Sequence, residues 1–292
     1  MIRPLRDDDI TQLARLWREL RPDAVHSKRG LRHLVESFPP RAQVAHWVAD
    51  EDGVVAWCFA HRRWRRASSN PYVWIGVLPE ARRRGLGAEL WGLADEHASA
   101  PAGERFLRRR GFAHRRSVVI SAVDPRLVSP TELAERRSRA DGDGYRLVPY
   151  ANADLDALYR LGLETSDDEP GEDAPYELSF EEWRTDVLEF PDLTHEGSFV
   201  VVAGEPVAFS ALSVDEAGRR GRNEGTGTAV AHRGRGLATL AKLAQLRWAA
   251  EHGIERIITD NDEHNVPMLA VNRRLGYAPF VERRGYVREL SA

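Results

Sequence analysis

Arg233-Gly234-Arg235-Gly236-Leu237-Ala238 leads into an apolar run with helical spacing, and Arg82-Arg83-Arg84-Gly85-Leu86-Gly87 does the same 151 residues earlier. Both read Arg-x-x-Gly-x-(Gly/Ala). A helix that starts on such a loop leaves its first N–H groups unpaired and carries about half a positive charge there, which favours a bound anion by roughly 0.3–2 kcal/mol. Glycine at 234 and 236 removes the Cβ that would keep a diphosphate from the backbone and permits positive φ, while Arg233 and Arg235 add charge. The chemistry is diphosphate binding. Its recurrence in the same strand-loop-helix setting makes it an internal repeat, with Arg82, Gly85 and Gly87 as the first-half counterparts. Other phosphate loops fit poorly. No Gly-x-x-x-x-Gly-Lys-(Ser/Thr) is present, and Gly225-Thr226-Gly227 lacks the third glycine of a dinucleotide fingerprint.

The elements that must position these loops follow a plan that repeats. In the first half, residues 2–5 are extended and Ile10, Leu13, Leu16 and Trp17 share one helical face. Residues 45–49 and 54–60 form a hairpin, and 72–78 is a strand entering the first loop. A helix over 86–97, a short helix over 105–110 stopped by Gly111, and a strand over 117–123 complete it. In the second half, 145–148 is a strand, Leu155, Leu158, Tyr159 and Leu161 line a helix, and Ser179 to Glu182 has capping-box spacing. A hairpin over 198–202 and 206–213, a strand over 224–230 and the second loop follow. The helix after it carries Leu237, Leu240, Ala241, Ala244 and Trp248 on helical spacing. A strand over 254–260 and a helix capped by Asn265 and ended by Gly276 close the plan. The fold class is α/β (α+β), two tandem domains each with a mixed central sheet flanked by helices. The expected boundaries are 1–126, a linker over 127–144 with a short charged helical stretch, and 145–292.

At 292 residues, 42% apolar and 30% charged, the chain has room for two cores and fits neither a disordered nor a membrane protein. It has no apolar run of membrane-spanning length, and its N-terminus lacks a secretory apolar stretch, so a cytoplasmic protein is expected. Cys58 is the single cysteine, and the ten histidines fall into no ligand spacing, which argues against a dedicated metal site. Charge is uneven: residues 1–140 carry 26 Lys and Arg against 17 Asp and Glu, and the remainder 16 against 28. Either the halves attract each other, or the acidic half draws a cationic substrate and the basic half an anion. Arg62-Arg63-Trp64-Arg65-Arg66 reads as an exposed strand end rather than a nucleic-acid surface. The acidic run from Glu164 to Asp173 is open to two readings, attraction of an amine or a solvated charge run.

Both halves resemble the GNAT superfamily of acetyl-CoA-dependent N-acetyltransferases. The second half carries the likeness over nearly its whole length, most specifically in Asn261, Asn265, Met268, Leu269, Asn272, Leu275, Gly276 and Tyr277. In that family the Arg/Gly loop ends the fourth strand and binds the pyrophosphate of coenzyme A. The fourth and fifth strands splay, and the pantetheine arm enters between them like an added strand. The resemblance implies acetyl-CoA contacts from Thr228, Ala229, Val230, Arg233, Gly234, Arg235, Gly236, Leu237 and Ala238, with Asn261, Asn265 and Asn272 along the arm. It implies an N-acetyltransferase acting on an amine of a small molecule, peptide or protein.

Gly236 and Gly276 are 40 residues apart, but Gly85 and Gly111 only 26. The shortfall falls where the second half has its 254–260 strand, and residues 98–103 cannot supply an equivalent. Chemistry is therefore expected in the second half, with the first domain shortened. By the same resemblance, Glu224, six residues before Val230, stands at a general-base spacing; the plainer reading is a solvated carboxylate starting a strand. An oxyanion donor is expected near the Val230 N–H. Many relatives have tyrosine where this chain has Asn272 and, in the first half, Leu107, and an amide cannot protonate a thiolate. A non-catalytic acyl-CoA-binding or scaffold protein is the alternative.

Overall fold

The structure is a computed structural model that describes residues 1–62, 71–97, 111, 113–166 and 178–287. The expected short helix at 105–110, the segment 98–103, Leu107, most of the 62–66 basic cluster and the acidic residues 167–173 lie outside the described residues. The chain divides into two compact units, one of Met1–Ala24, Lys28–Ser117 and Arg284–Ala292, the other of Val25–Ser27 and Val118–Arg283.

In the first unit β1 (Ile2–Pro4), β2 (Ala45–Asp50), β3 (Val54–Arg62) and β4 (Pro71–Val77) form an antiparallel sheet in sequence order. Helix α1 (Ile10–Leu20) buries the face expected from its spacing, and Trp17 packs on Trp57 and Trp74 at ring distances of 5.3 and 4.9 Å. Arg3 binds both Asp9 and Asp50, tying β1 to α1 and the hairpin and holding the Asp9 carboxyl below its ordinary range. Helix α2 (Lys28–Glu36), absent from the expected plan, turns Leu31, Leu34 and Val35 onto the same core as α1. Helix α3 (Leu86–His97) follows the first Arg/Gly loop. Cys58 is buried beneath α3, where burial pushes its thiol up to about 12 and makes it inert.

The second unit is built on a seven-stranded sheet in the order β11-β5-β10-β9-β8-β7-β6. Its strands are β5 (Ala113–Val123), β6 (Arg146–Pro149), β7 (Phe199–Ala203), β8 (Glu205–Asp215), β9 (Arg220–Thr228), β10 (Arg256–Asp262) and β11 (Ala278–Val287). Strand β5 differs from expectation. It does not end the first sheet but pairs with β10 from Val118 to Val123, so the two units divide at 117/118 and not at 126. Val118, Val119, Ile120 and Ala122 give it apolar side chains on both faces, as an interior strand requires. The stretch 127–144 is also part of the second unit. There α4 (Pro130–Gly142), capped by Ser129, packs on α7 (Leu237–Glu251) through Leu133 and Ala140.

Helix α7 lies on one sheet face against β7, β8 and β9, with α4 beside it, so ten of its fifteen residues are buried. Helices α5 (Leu155–Ser166) and α6 (Phe180–Trp183) belong to another cluster with Tyr150, Val200 and Ala211, and α5 lies along β8 and β9. Helix α8 (Val266–Arg274) is capped by Asn265 and ends before Gly276 at φ 84.

Candidate functional site

Strand β9 begins four residues earlier than expected and ends at Thr228, so Glu224 lies mid-strand and Val230 opens a short turn, Val230–His232. The register of β8 and β9 slips between Ala211 and Leu212: Gly225 faces Ala211 and Asn223 faces Leu212, leaving Glu224 as the extra residue of a bulge. A bulge bends its strand and re-aims the side chain it carries. Parallel pairing with β10 stops two residues before Glu224, covering only Arg256 with Arg220, Ile257 with Gly221 and Ile258 with Arg222. Strand β9 runs on along β8 to Thr228, and β10 runs on along β5 to Asp262. Beyond Arg222 and Ile258 no further β9–β10 strand pairing is found among the described residues, and the two strands form a fork.

The second Arg/Gly loop lies at the open end of that fork. Gly234 and Gly236 have φ 76 and 77, and Gly236 precedes the first residue of α7 without any side-chain cap. No acceptor among the described residues takes the N–H groups of Arg235, Gly236, Leu237 or Ala238, and the first turn of α7 has no acidic residue. Arg233 turns its Nε to the Thr228 carbonyl at 3.1 Å, which closes the loop onto the strand end. The Ala229 N–H is taken by the Val207 carbonyl at 2.8 Å. The Val230 N–H, expected as an oxyanion donor, is instead donated to the Glu164 carboxylate at 2.8 Å. Strand β9 approaches α5 closely: a Cβ on Gly227 would stand 2.7 Å from both Phe209 and Thr165.

Glu224 is bound by Arg222 Nε at 3.1 Å; Arg222 also pairs with Asp260, and Asp260 with Arg283. Asn261 and Asn272 are brought together, the Asn272 amide donating to Asn261 at 2.6 Å, while the buried Asn272 oxygen has no partner among the described residues. Asn265 accepts from the Met268 N–H, so its oxygen is committed to the helix cap.

Sequence reasoning missed the buried polar cluster under the fork. Asn223 Nδ2 lies 2.9 Å from Ser210 Oγ, 3.0 Å from the Ala211 carbonyl, 3.1 Å from Gln245 Oε1 and 3.3 Å from the Gly225 carbonyl. Its Oδ1 receives Lys242 Nζ at 2.8 Å, Thr226 Oγ1 at 3.0 Å and Thr259 Oγ1 at 3.3 Å. Lys242 is fully buried, and burial lowers its ammonium to about 7. Its Nζ also lies 5.0 Å from the ring of Tyr277, whose phenol burial pushes up. The available signal was a lone lysine inside the apolar run Leu240, Ala241, Leu243, Ala244.

The first unit repeats the loop but not its setting. Arg82 Nε reaches the Val77 carbonyl at 3.0 Å, and the Leu78 N–H the Val55 carbonyl at 2.9 Å, matching Arg233 and Ala229. Gly85 has φ 90. However, Glu89 places an acid in the first turn of α3, and Arg84 is engaged by Glu51 and the Glu80 carbonyl. Strand β4 is an edge of its four-stranded sheet, so no fork is formed there among the described residues. No helix among the described residues is long and apolar enough to cross a membrane, and none of their His, Cys, Asp and Glu side chains form a metal-holding group of three.

Two stretches, residues 10–115 and 155–277, match the acetyltransferase (GNAT) family, and the chain belongs to that family as a tandem protein. It is 30% identical over 220 residues to a mycothiol acetyltransferase of Amycolatopsis mediterranei (strain U-32), covering 69% of this chain and 70% of that protein. In fold it is similar to a GCN5-related N-acetyltransferase from Sphaerobacter thermophilus, with TM-score 0.66, 18% identity and coverage of 99% and 96% of the two chains. It is likewise similar to a tandem GNAT protein from the clavulanic acid biosynthesis pathway, with TM-score 0.66, 22% identity and coverage of 100% and 99%.

Proposed function

We propose that the chain is an N-acetyltransferase that moves acetyl from acetyl-CoA to an amine of a small molecule, peptide or protein, with the chemistry in the second unit. The fork between β9 and β10, opening at the uncapped start of α7, carries this reading. The residues there fit the cofactor. N–H groups at 235–238 without acceptors among the described residues and two glycines without Cβ suit a diphosphate, and two neighbouring strands whose mutual pairing ends at Arg222 and Ile258 suit an amide-bearing arm. When bound, acetyl-CoA supplies the activated acyl group.

Glu224 lies on the bulge at the base of the fork, where its carboxylate takes the proton that an acceptor ammonium must lose before attack. Arg222 holds that carboxylate in place. General-base groups of this kind contribute about 10²- to 10⁴-fold in rate. The relative named as a mycothiol acetyltransferase supports acetyl transfer and leaves the acceptor open. The first unit, with Glu89 at its helix start and no fork among the described residues, serves a structural or substrate-shaping role.

A second reading is favoured by one observation: position 272, where many relatives have a phenol, is an amide bonded to Asn261. On that reading the chain binds acyl-CoA without turnover. Calorimetry with acetyl-CoA followed by thiol release across a panel of amines separates the two. Turnover on any amine supports the transferase, and binding without turnover on all of them supports the scaffold.

A further inference from the structure

The fork needs a reason to stay open. Two neighbouring parallel strands with free edges gain hydrogen bonds by zipping together, and a bulge can slip back into regular register. The side chain that spans this place is Asn223. Its amide nitrogen faces the carbonyls of Ala211 and Gly225, the two residues opposed where the ladder slips, and its oxygen faces the hydroxyl of Thr226 on β9 and that of Thr259 on β10. The carboxamide thus crosses from β9 to β10 at the first position where their backbones no longer pair.

Its orientation depends on what faces it. Both hydroxyls can donate or accept, so they tolerate either end of an amide; Lys242 Nζ can only donate when protonated, and donates at 2.8 Å. With Lys242 protonated Oδ1 must face α7, and Nδ2 then faces the two carbonyls. Turned over, the carboxamide would set its oxygen against both carbonyls. The lysine has no carboxylate partner among the described residues, only Asn223 Oδ1 and the Tyr277 ring. A buried amine with so little compensation costs stability relative to an apolar residue of equal size, so stability alone does not account for it. Basic positions in this chain are arginine almost throughout; lysine occurs only at Lys28 and Lys242.

The geometry points to Lys242 as a positioning residue that, through the Asn223 carboxamide, holds the β9 bulge and keeps the fork open for the thioester arm of acetyl-CoA. This rests on the cofactor reading above. The arm and the nucleotide are then held by separate parts: the fork depends on Lys242, while the loop at 233–238 does not.

Calorimetry with two ligands tests it: acetyl-CoA, and 3′-phosphoadenosine 5′-diphosphate, which has the nucleotide and diphosphate but no arm. Lys242→Met keeps the bulk and removes the donor. It is expected to weaken acetyl-CoA about tenfold while leaving the nucleotide within about twofold of the unmodified protein. Thr259→Val removes a weaker donor to the same oxygen and is expected to shift acetyl-CoA in the same direction by less; it decides the matter should Lys242→Met fail to fold. Unchanged acetyl-CoA affinity, or equal loss for both ligands, overturns the positioning role. An unmodified protein that binds neither ligand overturns the cofactor reading itself.

Discussion

The Glu164 carboxylate accepts the N–H of Val230 at 2.8 Å, joining the last turn of α5 to the point where β9 gives way to the second Arg/Gly loop. Glu164 is exposed, and the donor it occupies lies at the mouth of the fork. If the cofactor uses that N–H, the side chain must leave when it binds. Glu164→Ala is therefore expected to tighten acetyl-CoA about threefold, or about 0.6 kcal/mol, the scale of one solvent-screened polar contact. Calorimetry showing unchanged affinity would assign the N–H to α5 alone.

Glu224→Gln keeps the shape of the bulge residue and removes its basicity. Turnover is expected to fall about 10²-fold or more, with acetyl-CoA affinity within about twofold, because the carboxylate is assigned to proton removal and not to cofactor binding. Steady-state kinetics over pH 6–9 check this. A pH-rate profile identical to that of the unmodified enzyme removes Glu224 as the base.

Gly227 is glycine because of its neighbours. A methyl group there would meet Thr165 and Phe209 at 2.7 Å, so Gly227→Ala is expected to cost about 1–3 kcal/mol by overpacking. Thr165→Ala should recover part of that loss, and a thermal-melt double-mutant cycle measures the coupling. Independent effects would mean that α5 moves away freely.

Lys242 has a pH signature. Burial sets its ammonium near 7 in the folded chain against 10.5 ordinarily, so between those values the unfolded chain holds a proton that the folded chain lacks. Stability then rises with pH through that window, by up to about 5 kcal/mol, and the gain is complete only above it. Lys242→Met should flatten the slope in denaturant titrations. Because the chain has two lysines, ε-¹³C-lysine NMR should give two signals, one titrating near neutrality. Two signals that both titrate near 10.5 would contradict this.

What was legible in the sequence was local. Gly234, Gly236 and the arginines before α7 announce a loop whose φ values and free donors depend on neighbouring residues only, and the α1 face of Leu13, Leu16 and Trp17 follows from helical period alone. Strand β5 was legible as a strand but not as a member of the second sheet, since pairing across more than 130 residues leaves no trace in spacing. The bulge at Glu224 was hidden for the same reason: it is a mismatch between two strands, not a property of either. Lys242 was visible as an anomaly, one amine in an apolar helix, but its meaning needed Asn223 and Thr259 beside it.

The central claim is that the loop at 233–238 and the β9/β10 fork together receive acetyl-CoA. A crystal structure of the protein grown with acetyl-CoA tests it most directly. The expected result is a diphosphate on the N–H groups of 235–238 with the arm between Asn223–Thr228 and Thr259–Asp262. A cofactor bound instead at the first loop, Arg82 to Gly87, or a fork zipped shut with the second loop empty, would contradict it.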